Sequence, residues 1–121
     1  MRQITDSMKL EAALAGRRAV VLFHARWCPY CRAFKPVFDE LAPGAKGHEV
    51  LEVVLDDEDN PLWDKYGIDA APTVMFFDGG KVAKRLDARR GVGLEAADLK
   101  RAIGKTAARA PSKKKLRPRK R

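Results

Sequence analysis

The stretch FHARWCPYCRAFKPVF, residues 23 to 38, contains the only two cysteines of this 121-residue chain. Cys28 and Cys31 are three positions apart, and Pro29 and Tyr30 separate them. In the second half of the stretch, apolar side chains recur at spacings of three and four, which indicates one face of a helix. Pro29 suits the first turn of that helix, because its fixed backbone angle fits there and its missing N–H is not needed. The stretch therefore predicts a helix that starts at Cys28 and carries both thiols on its first turn.

The two positions at the start of this helix predict different roles for the two thiols. Cys28, at the tip, would face unpaired backbone N–H groups and the positive end of the helix dipole, and both favour a thiolate. The thiolate is the form that attacks disulfides. Cys31 lies on the same face, one turn deeper, within reach of a disulfide with Cys28. We therefore expect Cys28 to attack a disulfide and form a mixed disulfide with the substrate. The less exposed Cys31 would then attack Cys28 and release the substrate.

A close cysteine pair can also bind zinc or fill a core. Zinc needs four ligands, and outside the pair the chain offers only His24 and His48 besides carboxylates. Because no second ligand pair exists, we expect no metal site. Inert core cysteines fit poorly, because Pro29 and Tyr30 between them indicate an exposed turn. Trp27, directly before the pair, suits either core packing or a flat docking surface for a substrate, and the sequence leaves both open.

Composition and charge divide the chain into a neutral body and a basic tail. Hydrophobic residues make up 45% of the chain, which is normal for a globular protein of one domain. Residues 105–121 carry nine of the 25 basic residues and none of the 16 acidic ones. We expect a domain over residues 1–104 and a disordered tail over 105–121. Such a tail either keeps the protein soluble or binds nucleic acid weakly and without sequence preference.

The hydropathy pattern predicts a cytoplasmic protein that does not enter a membrane. No stretch approaches the run of about 20 apolar residues that a membrane span needs, and the N-terminus lacks the continuous apolar centre of a secretory signal. Stable structural disulfides are rare in the reducing cytosol. A bridge across so short a loop would also constrain the unfolded chain very little. Both points favour a reactive cysteine pair over a structural one.

Along the chain, apolar runs alternate with turn and helix-start signals. A short strand is predicted to end at Ile4, and further strands are predicted over residues 19–25, 49–57, 71–77 and 81–86, the last two joined by a hairpin at DGG. Helices are predicted to begin near Met8, at Cys28 and at Asn60, and a final helix is predicted over residues 94–103, closed by Gly104. This order predicts an α/β fold with a central mixed sheet.

These features together resemble the thioredoxin family. The correspondence comprises WCPYC at 27–31, Pro36 five residues after Cys31, KYGI at 65–68, APT at 71–73 and the DGGKV hairpin. It extends over nearly everything from Ile4 to Ile103. The resemblance implies a thioredoxin fold, in which a central mixed β-sheet is flanked by helices on both faces. It also implies thiol–disulfide exchange by a redox-active Cys28–Cys31 disulfide, with no bound cofactor.

The resemblance extends to substrate-binding residues and partners. Pro72 matches the family's cis-proline, which faces the cysteine pair, and the backbone of the preceding residue, here Ala71, pairs with the substrate chain in the family. Together with Trp27, Pro29 and Tyr30, these residues would form the docking surface. The implied substrates are disulfide-containing proteins, and the implied electron donor is a nicotinamide-dependent reductase or glutathione. We expect the protein to act as a monomer.

Three departures from the family pattern concern the chemistry. The dipeptide inside the pair is Pro-Tyr, the usual glutaredoxin choice, where a typical thioredoxin has Gly-Pro. The family's buried aspartate, six residues before the first cysteine, takes the proton of the second cysteine, and its position is Leu22 here. The proton acceptor for Cys31 is therefore open between water and an acid near Asp56 and Asp57. The family's tryptophan four residues before the first cysteine is His24.

Two alternatives to a thioredoxin-like protein-disulfide reductase remain. One is a glutaredoxin-like, glutathione-dependent reductase, although the link RRGVGLE at 89–95 lacks the Gly-Gly-Asp-type arrangement that holds the glutathione carboxylate, because Val92 separates Gly91 and Gly93. The other is a non-catalytic adaptor with the same fold that binds nucleic acid through its basic tail. The sequence predicts the reductase, an enzyme, ahead of both.

Overall fold

The computed structural model describes residues 2–109. Its strands are β1 (Arg2–Ile4), β2 (Arg18–His24), β3 (Glu49–Val54), β4 (Thr73–Asp78) and β5 (Lys81–Asp87). Its helices are α1 (Ser7–Leu14), α2 (Pro29–Leu41), α3 (Leu62–Lys65) and α4 (Ala96–Arg109), and one 3-10 turn, Ala42–Gly44, follows α2. The predicted alternation of strands and helices is confirmed. None of the helices within residues 2–109 has both the length and the apolar character that crossing a membrane requires.

The strands form one mixed sheet in the order β1-β3-β2-β4-β5. β3 runs parallel to both β1 and β2, whereas β4 runs antiparallel to β2, and β5 antiparallel to β4. β2 lies at the centre, and all its residues after Arg18 are buried, which explains its continuous apolar run. The cysteine pair follows the last residue of β2, so it lies at one end of the sheet, next to its central strand.

Helices cover both faces of the sheet. Leu10 and Leu14 of α1 and Leu62 of α3 pack on one face. Phe34 and Phe38 of α2 pack on the other face, together with α4. Full burial of a phenylalanine side chain stabilises a fold by about 1.5–3 kcal/mol, so these two side chains anchor α2, and the cysteines at its start, to the sheet. The predicted mixed sheet with helices on both faces is confirmed.

The last helix is longer than the sequence predicted. Gly104 was expected to close it, but α4 continues through Gly104 to Arg109. The residues after Gly104 include alanine, lysine and arginine, which are strong helix formers, and one interior glycine costs a helix only about 1 kcal/mol. The first residues of the predicted tail are thus helical. The predicted disorder of the rest of the tail concerns residues 110–121, which lie outside the described residues.

Candidate active site

Both cysteines lie where β2 ends and α2 begins. Cys28 is the N-cap residue of α2, with extended backbone angles, and Pro29 occupies the first helical position. The Arg32 N–H donates to the Cys28 carbonyl at 3.0 Å, and the Cys28 N–H donates to the Ala25 carbonyl at 3.2 Å. The predicted helix start is therefore confirmed, and Cys28 lies at the positive end of the helix dipole.

The two thiols differ in exposure and in acidity. Cys28 is 8% exposed and Cys31 only 1%, so the deeper position predicted for Cys31 is confirmed. Burial raises the pKa of Cys31 to about 12; the hydrogen bond and charge of Cys28 act in the same direction, against a hydrogen bond from the Ala25 backbone. Both cysteines are free thiols in this structure. Cys31 therefore holds its proton at neutral pH until another group removes it.

The loop before β4 faces the cysteine pair. The Ala71–Pro72 peptide bond is cis, and Ala71 packs against both cysteines. The Cys28 thiol donates to the Ala71 carbonyl oxygen at 3.6 Å. Thr73, the first residue of β4, donates its Oγ1 hydrogen to the Ala70 carbonyl at 2.9 Å, which holds the loop in place. The fold thus brings Ala71 and Pro72 to Cys28 from a distant part of the chain.

Two aromatic side chains are exposed beside the pair. Trp27 is 51% exposed and Tyr30 44%, so Trp27 is not simple core packing. Trp27 stacks on Trp63 of α3, with ring centroids 6.5 Å apart. The Trp27 indole N–H donates to the Asp56 carbonyl at 2.9 Å, and that of Trp63 to the Asp57 carbonyl at 3.1 Å. Trp63 was missed from the sequence, because its stretch carried only a helix signal.

Tyr30 packs against the turn between β5 and α4. A Cβ on Gly93 would lie 3.0 Å from the Tyr30 Cβ, and Gly93 has a φ of +76°, so only glycine suits both the backbone and the contact. The Arg89 N–H donates to the Gly93 carbonyl at 2.9 Å and closes the turn. Val92, in the same turn, is 46% exposed. Trp27, Tyr30 and Val92 together give the site an exposed apolar rim.

The carboxylate of Asp56, a candidate proton acceptor for Cys31, already accepts two hydrogen bonds from Arg26. Its carboxylate accepts the Arg26 backbone N–H at 2.7 Å and the Arg26 Nε hydrogen at 2.6 Å. These bonds, the backbone one first, hold the pKa of Asp56 below its ordinary value. Asp57 is exposed and accepts the Asp59 N–H at 2.8 Å. A carboxylate with a lowered pKa is a poor base, so Asp56 is a poor acceptor for the proton of Cys31.

The sheet face beneath α2 holds a buried pair of ionisable side chains that was not predicted from the sequence. His24 and Glu52 are each 2% exposed, and 2.5 Å separates His24 Nε2 from Glu52 Oε2. Lys35 of α2 places its Nζ 3.7 Å from Glu52 Oε1. Glu52 pairs in register with Leu22 of β2. The signal that could have found this pair is a glutamate at an inward position of the otherwise apolar run VLEVVL, residues 50–55.

Neither histidine forms a metal site with other side chains of residues 2–109. Within that part of the chain, no group of three or more histidine, cysteine, aspartate and glutamate side chains could hold a metal ion. His24 binds Glu52, while His48 packs edge-on against Phe76 with ring centroids 5.9 Å apart. The fold therefore assigns both histidines other contacts.

Comparisons with known proteins agree with this geometry. The family model described as Thioredoxin matches residues 3–104. A thioredoxin of Mycoplasmoides gallisepticum is 35% identical over 86 residues, which are 70% of this chain and 85% of that protein. Thioredoxin H4 of Arabidopsis thaliana is 31% identical over 100 residues, covering 82% and 80% of the two chains. The thioredoxin structure from Malassezia sympodialis superimposes with a TM-score of 0.74 at 25% identity, over 88% of this chain and 90% of that one. The chain therefore belongs to the thioredoxin family of protein-disulfide oxidoreductases, which exchange electrons through a cysteine pair.

Proposed function

We propose that this oxidoreductase reduces protein disulfides with Cys28 as the attacking thiol and Cys31 as the resolving thiol. The observation that carries the assignment is the difference between the two sites: Cys28 caps α2, whereas Cys31 is 1% exposed and its pKa is raised to about 12. Cys28 is the more exposed of the two thiols, so a substrate reaches Cys28 first.

The reaction consists of two exchanges. The Cys28 thiolate attacks one sulfur of the substrate disulfide, the substrate S–S bond breaks, and a mixed disulfide forms. Cys31, once it has lost its proton, attacks Cys28 Sγ, and the bond from Cys28 to the substrate breaks. The products are a Cys28–Cys31 disulfide and a substrate dithiol, which takes up two electrons and two protons. No other cofactor is needed for these steps.

The proposed docking surface consists of Trp27, Pro29, Tyr30, Ala71 and Pro72. Its exposed aromatic rings offer apolar contact area, and the Ala71 backbone lies beside Cys28, where an extended substrate chain could pair with it. The 3.6 Å contact between Cys28 Sγ and the Ala71 carbonyl supports this placement. A disulfide in an extended segment of a protein is therefore the expected substrate.

Insulin reduction in the presence of dithiothreitol tests the proposal. Wild type should accelerate the precipitation of reduced insulin, and Cys28→Ser should not. Cys31→Ser, the matched control, should also lose turnover but accumulate a mixed disulfide on Cys28, visible by mass spectrometry. Trapping of substrate on Cys31 in the Cys28→Ser variant, with none on Cys28 in Cys31→Ser, would reverse the assignment.

The proposed electron donor is a nicotinamide-dependent reductase rather than glutathione. Support comes from the family and from the turn over residues 89–95, where Gly93 packs on Tyr30 and Glu95 accepts a hydrogen bond from Arg89 at 3.0 Å. These contacts occupy the residues that a glutathione carboxylate would need. NADPH oxidation should be seen with thioredoxin reductase and insulin. Turnover only with glutathione and glutathione reductase would reverse the choice.

The remaining proposals concern location, assembly and the tail. The protein is expected to act in the cytoplasm as a monomer, and its basic tail to bind nucleic acid only weakly and without sequence preference, since that charge is its only recognition feature. Salt-dependent DNA binding of the full chain and of a chain ending at residue 109 tests this. Insulin reduction should survive the truncation; its loss would assign the tail to the substrate site.

A further inference from the structure

The buried pair of His24 and Glu52 lies on the sheet face beneath α2, the helix that carries the resolving thiol, yet the two exchanges above do not use it. His24 is the last residue of β2 and directly precedes Ala25. The Ala25 backbone accepts a hydrogen bond from Cys28 at 3.2 Å and donates one to Cys31. The backbone next to His24 therefore contacts both members of the cysteine pair.

Helix α2 brings the pair near Cys31 from the other side. Lys35 follows Cys31 by four residues, so the two side chains lie on the same face of α2, one turn apart. The Lys35 Nζ is 3.7 Å from Glu52 Oε1. The pair and Cys31 thus occupy the same layer, between the inner face of α2 and the end of β2.

The fold alone does not explain a buried pair of ionisable side chains at this place. Removing a charged group from water costs several kcal/mol, and apolar residues of similar size often replace a buried pair without loss of stability. Leu22, the register neighbour of Glu52, shows that apolar side chains fit this face. Both members are nevertheless ionisable, and α2, which carries the buried thiol that must lose a proton, contacts them through Lys35.

The resolving step needs a proton acceptor. A thiol with a pKa of about 12 is ionised in only about one molecule in 10⁵ at pH 7. Hydrogen bonds from Arg26 hold the pKa of Asp56 below its ordinary value, so transfer of the proton to Asp56 is strongly uphill. Among the buried side chains around the cysteine pair, an imidazole is the group best suited to accept a proton near neutrality.

We propose that His24, oriented by Glu52, accepts the proton of Cys31 in the resolving step; this role rests on Cys31 being the resolving thiol. The Glu52 carboxylate can only accept, so it holds the hydrogen of a neutral imidazole on Nε2 and leaves the lone pair on Nδ1. The proton leaves Cys31 Sγ for the imidazole, and the Cys31 thiolate attacks Cys28 Sγ. The bond from Cys28 to the substrate breaks, and the substrate leaves as a thiolate that later takes up the proton.

Charged groups on every neighbouring element act on this pair. Lys35 of α2 supplies a positive charge, and its pKa is raised by the hydrogen bond with Asp39 and, less, by Glu52. Asp56, after β3, supplies a negative charge that interacts with His24. From β1, the Gln3 amide donates to Glu52 Oε1 at 3.5 Å. One cation, two carboxylates and one amide therefore surround the imidazole.

Stopped-flow reaction with Ellman's reagent separates the two steps. The first thionitrobenzoate released reports the attack by Cys28, and the second reports the attack by Cys31. In wild type the second rate should rise with pH and level off within the range in which imidazoles generally titrate, about pH 5 to 8. In Glu52→Gln and His24→Phe it should be at least about tenfold slower near pH 7 and rise with pH without levelling off, because hydroxide replaces the base. The first rate should stay within about twofold of the wild-type value, since the proposed proton transfer does not involve Cys28.

Asp98→Asn is the matched control, because Asp98 is another carboxylate that is only 8% exposed but is bound to Arg89 and Arg101. It should lose stability in urea yet keep the wild-type pH profile. If Glu52→Gln and His24→Phe fail to fold, Lys35→Met, which removes the cation 3.7 Å from Glu52 Oε1, must still change the pH profile of the second rate and leave the first rate within about twofold. A wild-type profile in the folded variants overturns the proposal. A wild type that releases no second thionitrobenzoate overturns instead the resolving role of Cys31.

Discussion

Cys28 and Cys31 are the same residue type, three positions apart, but the structure places them in different environments. Cys28 occupies the tip of α2 beside Ala71, whereas Cys31 lies on the buried face of the first turn of α2, with almost no contact with water. Spacing alone predicted that the two thiols could meet and which one is deeper. It could not predict how strongly burial suppresses ionisation of Cys31, because that burial depends on the strand and the loop that close over it.

The raised pKa of Cys31 should make the reduced protein less stable at high pH. In the unfolded chain this thiol has its ordinary pKa of 9.0, but in the folded chain burial raises its pKa to about 12. The unfolded state therefore loses the proton first, and the free energy of unfolding falls as pH rises from about 9 towards 12; below pH 9 the contribution is complete. In Cys31→Ala this thiol is absent, so its contribution to the fall in the free energy of unfolding is absent too. Urea unfolding of both reduced proteins at pH 7 and 10 should give a stability difference that shrinks at pH 10, and a constant difference would contradict the assignment.

Gly93 and Gly91 form a matched pair for the contact behind Tyr30. Both have a φ of +76°, but only at Gly93 would a Cβ meet another side chain, at 3.0 Å from the Tyr30 Cβ. Each alanine variant should cost about 1–2 kcal/mol of stability through its backbone. Gly93→Ala should additionally displace Tyr30 and raise the KM for insulin several-fold, with little change in the rate of Cys28 attack on Ellman's reagent. Equal KM values for the two variants would remove Tyr30 from the proposed docking surface.

Among the helices and strands, the sequence predicted best those boundaries that depend on interactions within one helical turn. The start of α2 at Cys28 and Pro29 depends on capping and on the backbone of proline, both of which act within one turn. The predicted end of α4 at Gly104 was wrong, because a glycine does not always end a helix. A glycine stops a helix only where it adopts a positive φ, and Gly104 has no such angle, whereas Gly67 after α3 does.

Alanine substitution should distinguish these two glycines. At Gly104, inside α4, a Cβ meets no atom within 4 Å, so Gly104→Ala should raise the free energy of unfolding by about 1 kcal/mol through helix propensity. At Gly67, where φ is +60°, Gly67→Ala should lower it by about 1–2 kcal/mol. Urea unfolding of both variants measures the two signs. A loss of stability in Gly104→Ala would mean that α4 ends at Gly104 in solution.

At the scale of the whole molecule, the redox balance of the pair reflects the relative stability of the dithiol and the disulfide. Because the Pro29-Tyr30 dipeptide is of the glutaredoxin type, we expect a reduction potential above the approximately −270 mV of thioredoxins, towards about −200 to −230 mV. Equilibration with glutathione buffers measures it. The double variant Pro29→Gly/Tyr30→Pro should shift the potential downward. A wild-type potential at or below about −270 mV would contradict the expectation.

Capping, hydrophobic periodicity and motif spacing act over a few residues, so the sequence was enough to predict the order of the elements, the helix start that carries both thiols and the resemblance to the family. The contact of Ala71 with Cys28, the stacking of Trp27 on Trp63 and the burial of His24 and Glu52 are seen only in the folded chain. These contacts join residues up to 43 positions apart. They depend on which strands become neighbours in the sheet and which helix covers them, and these arrangements are set by burial over the whole core rather than by any local stretch of sequence.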